Sequence, residues 1–446
     1  MSRYDTIIIG GGPAGYSCAL MISQLGGKVG LIEMNGLGGT CTLRGCIPTK
    51  YLHSIGALLR KTRELNRAGV IASNHQPAIV YDRLLERMNS TLSRLSSGIG
   101  LLLKKSNVEI INGRARISSK NCVEVDGKKK FDTRTIVIAS GSHPLCIPGY
   151  SFNEKILSTS TILKQRLSPC SIAIVGGGYS GCEFAAILNA FGYDVTLIEE
   201  QQNLIPQHTC EIGETVAKYL RLDGVNVVTG QRLRRIGDSC NCVFTEHQRI
   251  DVDQILVCTG RMPNIDSDEL DKVGVKHDLS NGIVINDRTL TTTDNIYAIG
   301  DITGKFEVAH VASKQGEVAA CNIMGRDARM DYRHIPVCIF TYPEVALIGD
   351  LDGRRQNLES QFAASAKANC LMETRGSLRV FQDKGLIVGA YIIGPHAGEL
   401  IAEATLAIQM GLKVSDITET IHAHPTLNES YVDAATNRTK LIRKNT

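Results

Sequence analysis

One short pattern occurs twice in this chain, and no other feature constrains the fold as much. DTIIIGGGPAGYSCAL…KVGLIE begins at Asp5 and SIAIVGGGYSGCEFAAIL…DVTLIE begins at Ser171, each reading as strand, glycine-rich turn, helix and strand. The first copy sets Gly10, Gly12 and Gly15 before Glu33, and the second sets Gly176, Gly178 and Gly181 before Glu199, with 23 residues from first glycine to acid in both. Such glycines let the backbone turn tightly and approach a pyrophosphate, whose charge rests on the helix N-terminus, while the acid accepts hydrogen bonds from ribose hydroxyls. A lone GxGxxG often serves only close packing, but here each copy follows an Ile/Val strand, opens a helix and ends at an acid. Two such units predict two dinucleotides. A carboxylate at Glu199, followed by Glu200, repels a 2′-phosphate, so the second site is expected to take NAD rather than NADP.

At 446 residues the chain exceeds one compact core, and about three domains are expected. A formal charge of +4 and the absence of Trp leave neither an electrostatic footprint nor stacking platforms for nucleic acid. Fourteen scattered cysteines fit a reducing compartment, because a secreted disulfide scaffold would be short and cysteine-dense. The apolar stretch from Ile7 to Ile22 is interrupted by Gly10, Gly11, Gly12, Pro13 and Gly15, so it reads as strand, turn and helix rather than as a signal peptide. No segment approaches the ~20 apolar residues that cross a bilayer. A soluble, cytoplasmic protein acting on small molecules is expected, with neither nucleic acid nor membrane as partner. Lys128, Lys129 and Lys130 follow Asp126-Gly127 and read as a hairpin with a solvated basic face.

After the first repeat comes GLGGTCTLRGCIPTK, with Cys41 and Cys46 five positions apart and Lys50 four beyond the second. On a regular helix that spacing separates the Cα atoms by roughly 8 to 9 Å, beyond the ~7 Å limit for a disulfide. If the two are to pair, the helix must be distorted there, and Gly45 supplies the backbone freedom. Two unrelated buried thiols are the alternative, and that reading suits most of the other cysteines. No second closely spaced Cys or His pair nearby completes four zinc ligands, and no metal is expected. Near the C-terminus, HAHPTLNES places Glu429 five residues after His424. Opening a disulfide with a dithiol requires a base to form the attacking thiolate, and a histidine oriented by a carboxylate suits that task. His396 and His422 read as structural.

GGTCTLRGCIPTK resembles the redox-disulfide motif of the class I pyridine nucleotide-disulfide oxidoreductases, and the likeness extends along essentially the whole chain. The resemblance implies an α/β fold: two Rossmann-like dinucleotide-binding domains, for FAD and NAD, plus a C-terminal α+β dimerisation domain. It implies that Cys41 exchanges with the substrate thiol, that Cys46 contacts the flavin, and that Lys50 lies beside the flavin paired with Glu183. NIYAIGD resembles the second flavin motif, with Asp301 at the ribityl and pyrophosphate region and Ala309 near the ring. IASGS, containing Ala139, Ser140 and Gly141, resembles the crossover leaving the FAD domain, and CTGRMPN, with Gly260, the exit from the NAD domain. Gly113 and Leu233 would touch the adenosine portions of FAD and NAD respectively. His-Pro-Thr-x-x-Glu resembles the base motif, whose histidine reaches the disulfide of the other subunit, so a homodimer is implied.

Within the family, GPHAGEL and TYPEVALIG resemble the dihydrolipoyl dehydrogenases, which implies oxidation of a lipoyl-carrying protein of a 2-oxoacid dehydrogenase complex or of the glycine cleavage system. A mercuric-reductase reading lacks its C-terminal cysteine pair, since Cys370 is the last cysteine, and a glutathione-type reductase would carry arginines in place of Glu199 and Glu200. A flavoprotein serving only as an assembly component would have lost its redox cysteines or the His424–Glu429 pair. Tyr342 departs from the family's usual histidine before Pro-Glu. The expected division is an FAD domain at 1–143, an NAD domain at 144–265, a return to the FAD or central domain at 266–333, and an interface domain at 334–446.

Overall fold

Alternation of Ile/Val runs with glycine turns and small-residue helices produces the elements in the expected order. From the N-terminus run β1 (Tyr4–Ile9), α1 (Pro13–Gln24) and β2 (Val29–Glu33), then α2 (Gly39–Arg44), α3 (Cys46–Arg67) and the long α4 (Tyr81–Lys105). Strands β3 (Glu109–Asn112), β4 (Ala115–Ser119), β5 (Cys122–Val125), β6 (Lys129–Ile138), β7 (Ser142–Pro144) and β8 (Ile156–Ser158) follow. The second repeat gives β9 (Ser171–Val175), α5 (Tyr179–Ala190), β10 (Asp194–Ile198), α6 (Cys210–Leu222) and β11 (Asn226–Val228). Next come β12 (Arg235–Ile236), β13 (Cys242–Phe244), β14 (Arg249–Asp251), β15 (Gln254–Val257), β16 (Arg261–Pro263), α7 (Ser267–Lys272), β17 (His277–Asp278), β18 (Gly282–Ile283), β19 (Ile296–Ala298) and α8 (Ala309–Ile323). The C-terminal region holds β20 (Val337–Ile339), β21 (Glu344–Gly349), β22 (Gln356–Gln361), α9 (Ala366–Leu371), β23 (Ser377–Asp383), β24 (Leu386–Gly394), α10 (Ala397–Met410), α11 (Val414–Glu419) and α12 (Glu429–Ala435). The computed structural model describes residues 4–71, 79–166 and 168–436.

The chain forms two compact units, one of Met1–Leu52, Pro77–Leu167 and Val257–Asp331, the other of His53–Gln76, Ser168–Leu256 and Tyr332–Thr446. In the first, a sheet of order β3-β2-β1-β6-β5-β4 carries β19 on β6. Its β3, β2, β1, β6 and β19 are parallel, whereas β4, β5 and the first half of β6 form an antiparallel extension. Ile7, Ile136 and Ile296 are buried on one face, against Leu270, Val273 and Ile283. Ile8, Leu31 and Val137 are buried on the other face, beneath Ala14, Cys18 and Ala319 of α1 and α8. Strands buried on both faces read as continuous apolar runs, which is why IIIG and IVIA are unbroken. The β5–β6 hairpin turns at Asp126 and Gly127, with φ of +52° and +66°, the geometry that Asp-Gly favours, and Lys128, Lys129 and Lys130 are exposed there.

In the second unit, β10 pairs in parallel with β9 and β11, and α5 is buried along nearly its whole length. Its C-terminal part is an antiparallel sheet of order β20-β21-β24-β23-β22. Leu378, Val380 and Ile392 of this sheet share a core with Leu400, Ile401 and Ala404 of α10 and with Tyr431 of α12. Among the described residues, no helix is long and apolar enough to cross a membrane.

Candidate active site

Each acid folds back on its own glycine turn. Glu33 Oε2 accepts the Gly11 N–H at 2.7 Å, and Glu199 Oε2 accepts the Gly177 N–H at 2.6 Å. The third glycine of each motif permits the contact between strand end and helix: a Cβ on Gly15 would lie 1.9 Å from the Gly10 oxygen, and one on Gly181 would lie 1.8 Å from the Gly176 oxygen. Gly12 and Gly178 cap α1 and α5 without a side-chain hydrogen bond, so first-turn N–H groups, beginning at Ala14 in α1 because Pro13 has none, are left for an anion. The donor set and its space fit a dinucleotide pyrophosphate at each turn.

The cysteine segment is two helices rather than one: α2 stops at Arg44 and α3 starts at Cys46, with Gly45 between them. This is the distortion that the spacing requires of a pair. Cys41 and Cys46 are thiols in contact, and Cys41 donates to the Cys46 sulfur. That bond, followed by burial and by charge on Cys46, pushes the Cys41 thiol far above its ordinary range; Lys50 pulls the other way and Asp301 adds to the rise. Cys41 therefore keeps its proton. Lys50 lies four residues beyond Cys46, one turn along α3. Tyr16 of α1 also belongs here, its hydroxyl pushed up first by burial and then by Cys41.

Asp301 is held in place by residues that the sequence did not single out. Its Oδ2 accepts the Ser142 hydroxyl at 2.6 Å and lies 3.9 Å from Arg261 Nε, which itself donates to the Ser142 oxygen at 2.7 Å. The two predicted crossovers meet as an antiparallel ribbon, β7 with β16, with the Leu145 N–H donating to the Gly260 carbonyl and Asn264 Nδ2 donating to the Ser140 carbonyl at 2.7 Å. The Asn264 N–H donates to the Gly141 carbonyl, and the Ala139 N–H donates to Ile9 at the end of β1. Ala309 is the first residue of α8. The Gly113 N–H donates to the Glu33 carbonyl; in the second repeat the corresponding donor to the Glu199 carbonyl is Gln231, two residues before half-buried Leu233.

In the second unit, buried Glu183 accepts the Phe340 N–H at 3.0 Å. Tyr342, in place of the family's usual histidine, stacks on His53 with ring centroids 4.5 Å apart, and its hydroxyl donates to the His53 carbonyl at 2.6 Å. The expected dyad is assembled: His424 Nδ1 lies 2.9 Å from Glu429 Oε1, and Glu429 Oε2 accepts the Thr426 N–H at 2.9 Å. The Thr426 N–H first, then the His424 bond, hold the Glu429 carboxyl below the usual range. The bond on Nδ1 leaves Nε2 as the ring nitrogen able to exchange a proton with a substrate. Among the described residues there is no group of three or more His, Cys, Asp or Glu that could hold a metal ion.

Residues 4–316 match the family described as pyridine nucleotide-disulphide oxidoreductase, and residues 335–435 match its dimerisation domain. The chain is 36% identical to the dihydrolipoyl dehydrogenase of Chlamydia pneumoniae, over 97% of this chain and 96% of that one. It is 35% identical to the dihydrolipoyl dehydrogenase of Geobacillus stearothermophilus, over 97% and 95%. Among solved structures it resembles the HOCl-induced flavoprotein disulfide reductase RclA from Escherichia coli, with a TM-score of 0.87 and 26% identity over 97% of this chain and 99% of that chain.

Proposed function

This chain belongs to the pyridine nucleotide-disulphide oxidoreductase family, whose members use FAD and NAD(H), and from that premise we propose that it is a dihydrolipoyl dehydrogenase. The observation that carries this reading is the contact between Cys41 and Cys46 across the helix break, with Lys50 one turn away. The names of the curated relatives support the lipoyl substrate, and Glu199 and Glu200 support NAD. The Gly10, Gly12, Gly15 turn with Glu33 and Asp301 would hold FAD, and the Gly176, Gly178, Gly181 turn with Glu199 would hold NAD.

Bound FAD supplies a two-electron carrier between dithiol and NAD. In the oxidised enzyme, a dihydrolipoyl thiolate attacks Cys41 of the Cys41–Cys46 disulfide, forming a mixed disulfide and releasing Cys46 as thiolate. His424, oriented by Glu429, takes the proton of each substrate thiol, and the second thiolate closes the lipoyl disulfide and frees Cys41. The protein is left as the dithiol, and its two electrons reduce NAD to NADH. Lys50 lowers the cost of charge on the thiols, and its pairing with Glu183 is part of the proposal. So are a homodimer in which His424 serves the partner's cysteines, a cytoplasmic location, the four-part domain division, and a lipoyl-carrying protein as substrate.

Anaerobic titration with dihydrolipoamide followed by NAD tests this reading. A long-wavelength thiolate-to-flavin band should appear and collapse as NADH forms, and Cys46→Ser protein should lack it. If dihydrolipoamide leaves the flavin oxidised while NADH reduces it, the lipoyl substrate is wrong and the chain is a disulfide reductase of another kind.

A further inference from the structure

His422, expected to be structural, sits two residues before His424 in the segment between α11 and α12. Its side chain is only 9% exposed, whereas that of His424 is 71% exposed. Its Nδ1 lies 2.9 Å from the Thr420 carbonyl oxygen, and its Nε2 lies 2.9 Å from Glu403 Oε1. A carbonyl oxygen only accepts, and the other oxygen of Glu403 accepts from Asn428 Nδ2 at 2.8 Å, as a carboxylate does. Both ring nitrogens thus face acceptors, and only the doubly protonated ring satisfies both bonds. Burial opposes that charge, but the Glu403 bond, the Thr420 carbonyl and the charge on Glu403 outweigh it, so His422 holds its proton above its ordinary range.

The charge reaches the dyad, since His422 acts on the Glu429 carboxyl in the same direction as His424 does. Titratable groups facing this cluster include Glu403 on α10, Glu429 at the head of α12, and the buried Tyr431, whose hydroxyl donates to the Leu400 carbonyl at 2.8 Å and feels Glu403. His422 is thus a cation set between two carboxylates, Glu403 and Glu429, two residues from the base.

We propose that His422, held as an imidazolium by Glu403 and the Thr420 carbonyl, is a positioning residue whose fixed positive charge opposes protonation of His424 and keeps it ready to accept a proton near neutral pH. This rests on reading His424 as the base. Unlike the dyad itself, it assigns a second, permanently charged His–Glu pair that never exchanges its proton during turnover.

The test uses FAD-loaded protein with isotope-labelled histidine rings, titrated by NMR, alongside kcat/KM for dihydrolipoamide against pH. In wild type, the His422 ring should stay protonated above the ordinary histidine value of about 6.5. In His422→Asn, both the His424 ring titration and the acid limb of kcat/KM should move up by on the order of half a pH unit. The double variant His422→Asn/Glu403→Gln removes both charges and should return them toward wild type. A His422 ring already neutral at about pH 6.5 overturns the proposal. So does a single variant that loses turnover with the His424 titration unmoved, which is what a merely structural role would give. The ring titrations need no turnover, so they decide the matter even if dihydrolipoamide proves not to be a substrate.

Discussion

In the first glycine-rich unit, the chain returning over the turn donates the Gly38 N–H to the Gly11 carbonyl at 2.8 Å; in the second, the Ile205 N–H donates to the Gly177 carbonyl at 2.9 Å. The acid, the glycine contact and this returning hydrogen bond are therefore the same in both. Beyond that bond the two arms diverge. In the first unit Gly39, at φ +57°, lies so close that a Cβ would be 2.8 Å from Gly12 Cα, and Cys41 comes two residues later on α2. In the second the arm continues to His208, whose Nε2 lies 2.6 Å from the Tyr179 hydroxyl with the rings stacked at 15°, and then enters α6. One scaffold thus serves two ends: the arm of glycines brings thiols to the turn, and the polar arm brings only a neutral hydrogen-bonded pair.

The largest test of that equivalence is Gly15→Ala against Gly181→Ala. Each forces a methyl into a carbonyl oxygen and should destabilise the fold by about 1 to 3 kcal/mol, but with separate functional losses. Gly15→Ala protein should purify without flavin absorbance, whereas Gly181→Ala protein should stay yellow and no longer be bleached by NADH. Loss of flavin from both would break the separation of the two sites.

A smaller effect is expected from Glu33→Gln and Glu199→Gln. Removing a charged hydrogen-bond acceptor should weaken the corresponding cofactor roughly ten- to a hundred-fold, measured as flavin retention for the first and as the NAD dissociation constant for the second. Crossed effects, with Glu199→Gln releasing flavin, would show that the sites had been assigned the wrong way round.

The smallest effect concerns pH and separates the arms. Burial lowers the His208 titration below its ordinary value, so the folded protein keeps the ring neutral where the unfolded chain would charge it. Stability from this group is present above the unfolded value near about 6.5 and is lost as pH falls toward the lower folded value. Between about pH 7.5 and 5.5 the melting temperature of wild type should fall more than that of His208→Gln, by about 1 to 2 °C. The first arm has no titratable side chain from Gly36 to Thr40, and equal slopes in the two proteins would remove His208 from the account.

Much of this was legible in the residues. The strand, turn and helix of each repeat follow from Ile/Val runs and glycine spacing, the break at Gly45 from the distance two cysteines must span, and the β5–β6 hairpin from Asp-Gly. The His424–Glu429 pair is five residues apart and closes through one short segment. Less legible were Ser142 and Arg261, which reach Asp301 or each other across 159 and 119 residues of chain. Tyr16 beside Cys41 left no signal beyond its place after Gly15.

Positions of backbone and cofactor turns were thus specified by neighbours a few residues away, because glycine permissiveness, strand alternation and helix caps are local properties. The location of protons was not. Cys41 keeps its hydrogen because the bond to Cys46, burial and Asp301 outweigh the opposing pull of Lys50, and His422 is charged because Glu403 arrives from another helix. Charge answers to everything within several ångströms in a medium of low dielectric, and that company is assembled only when distant segments pack together.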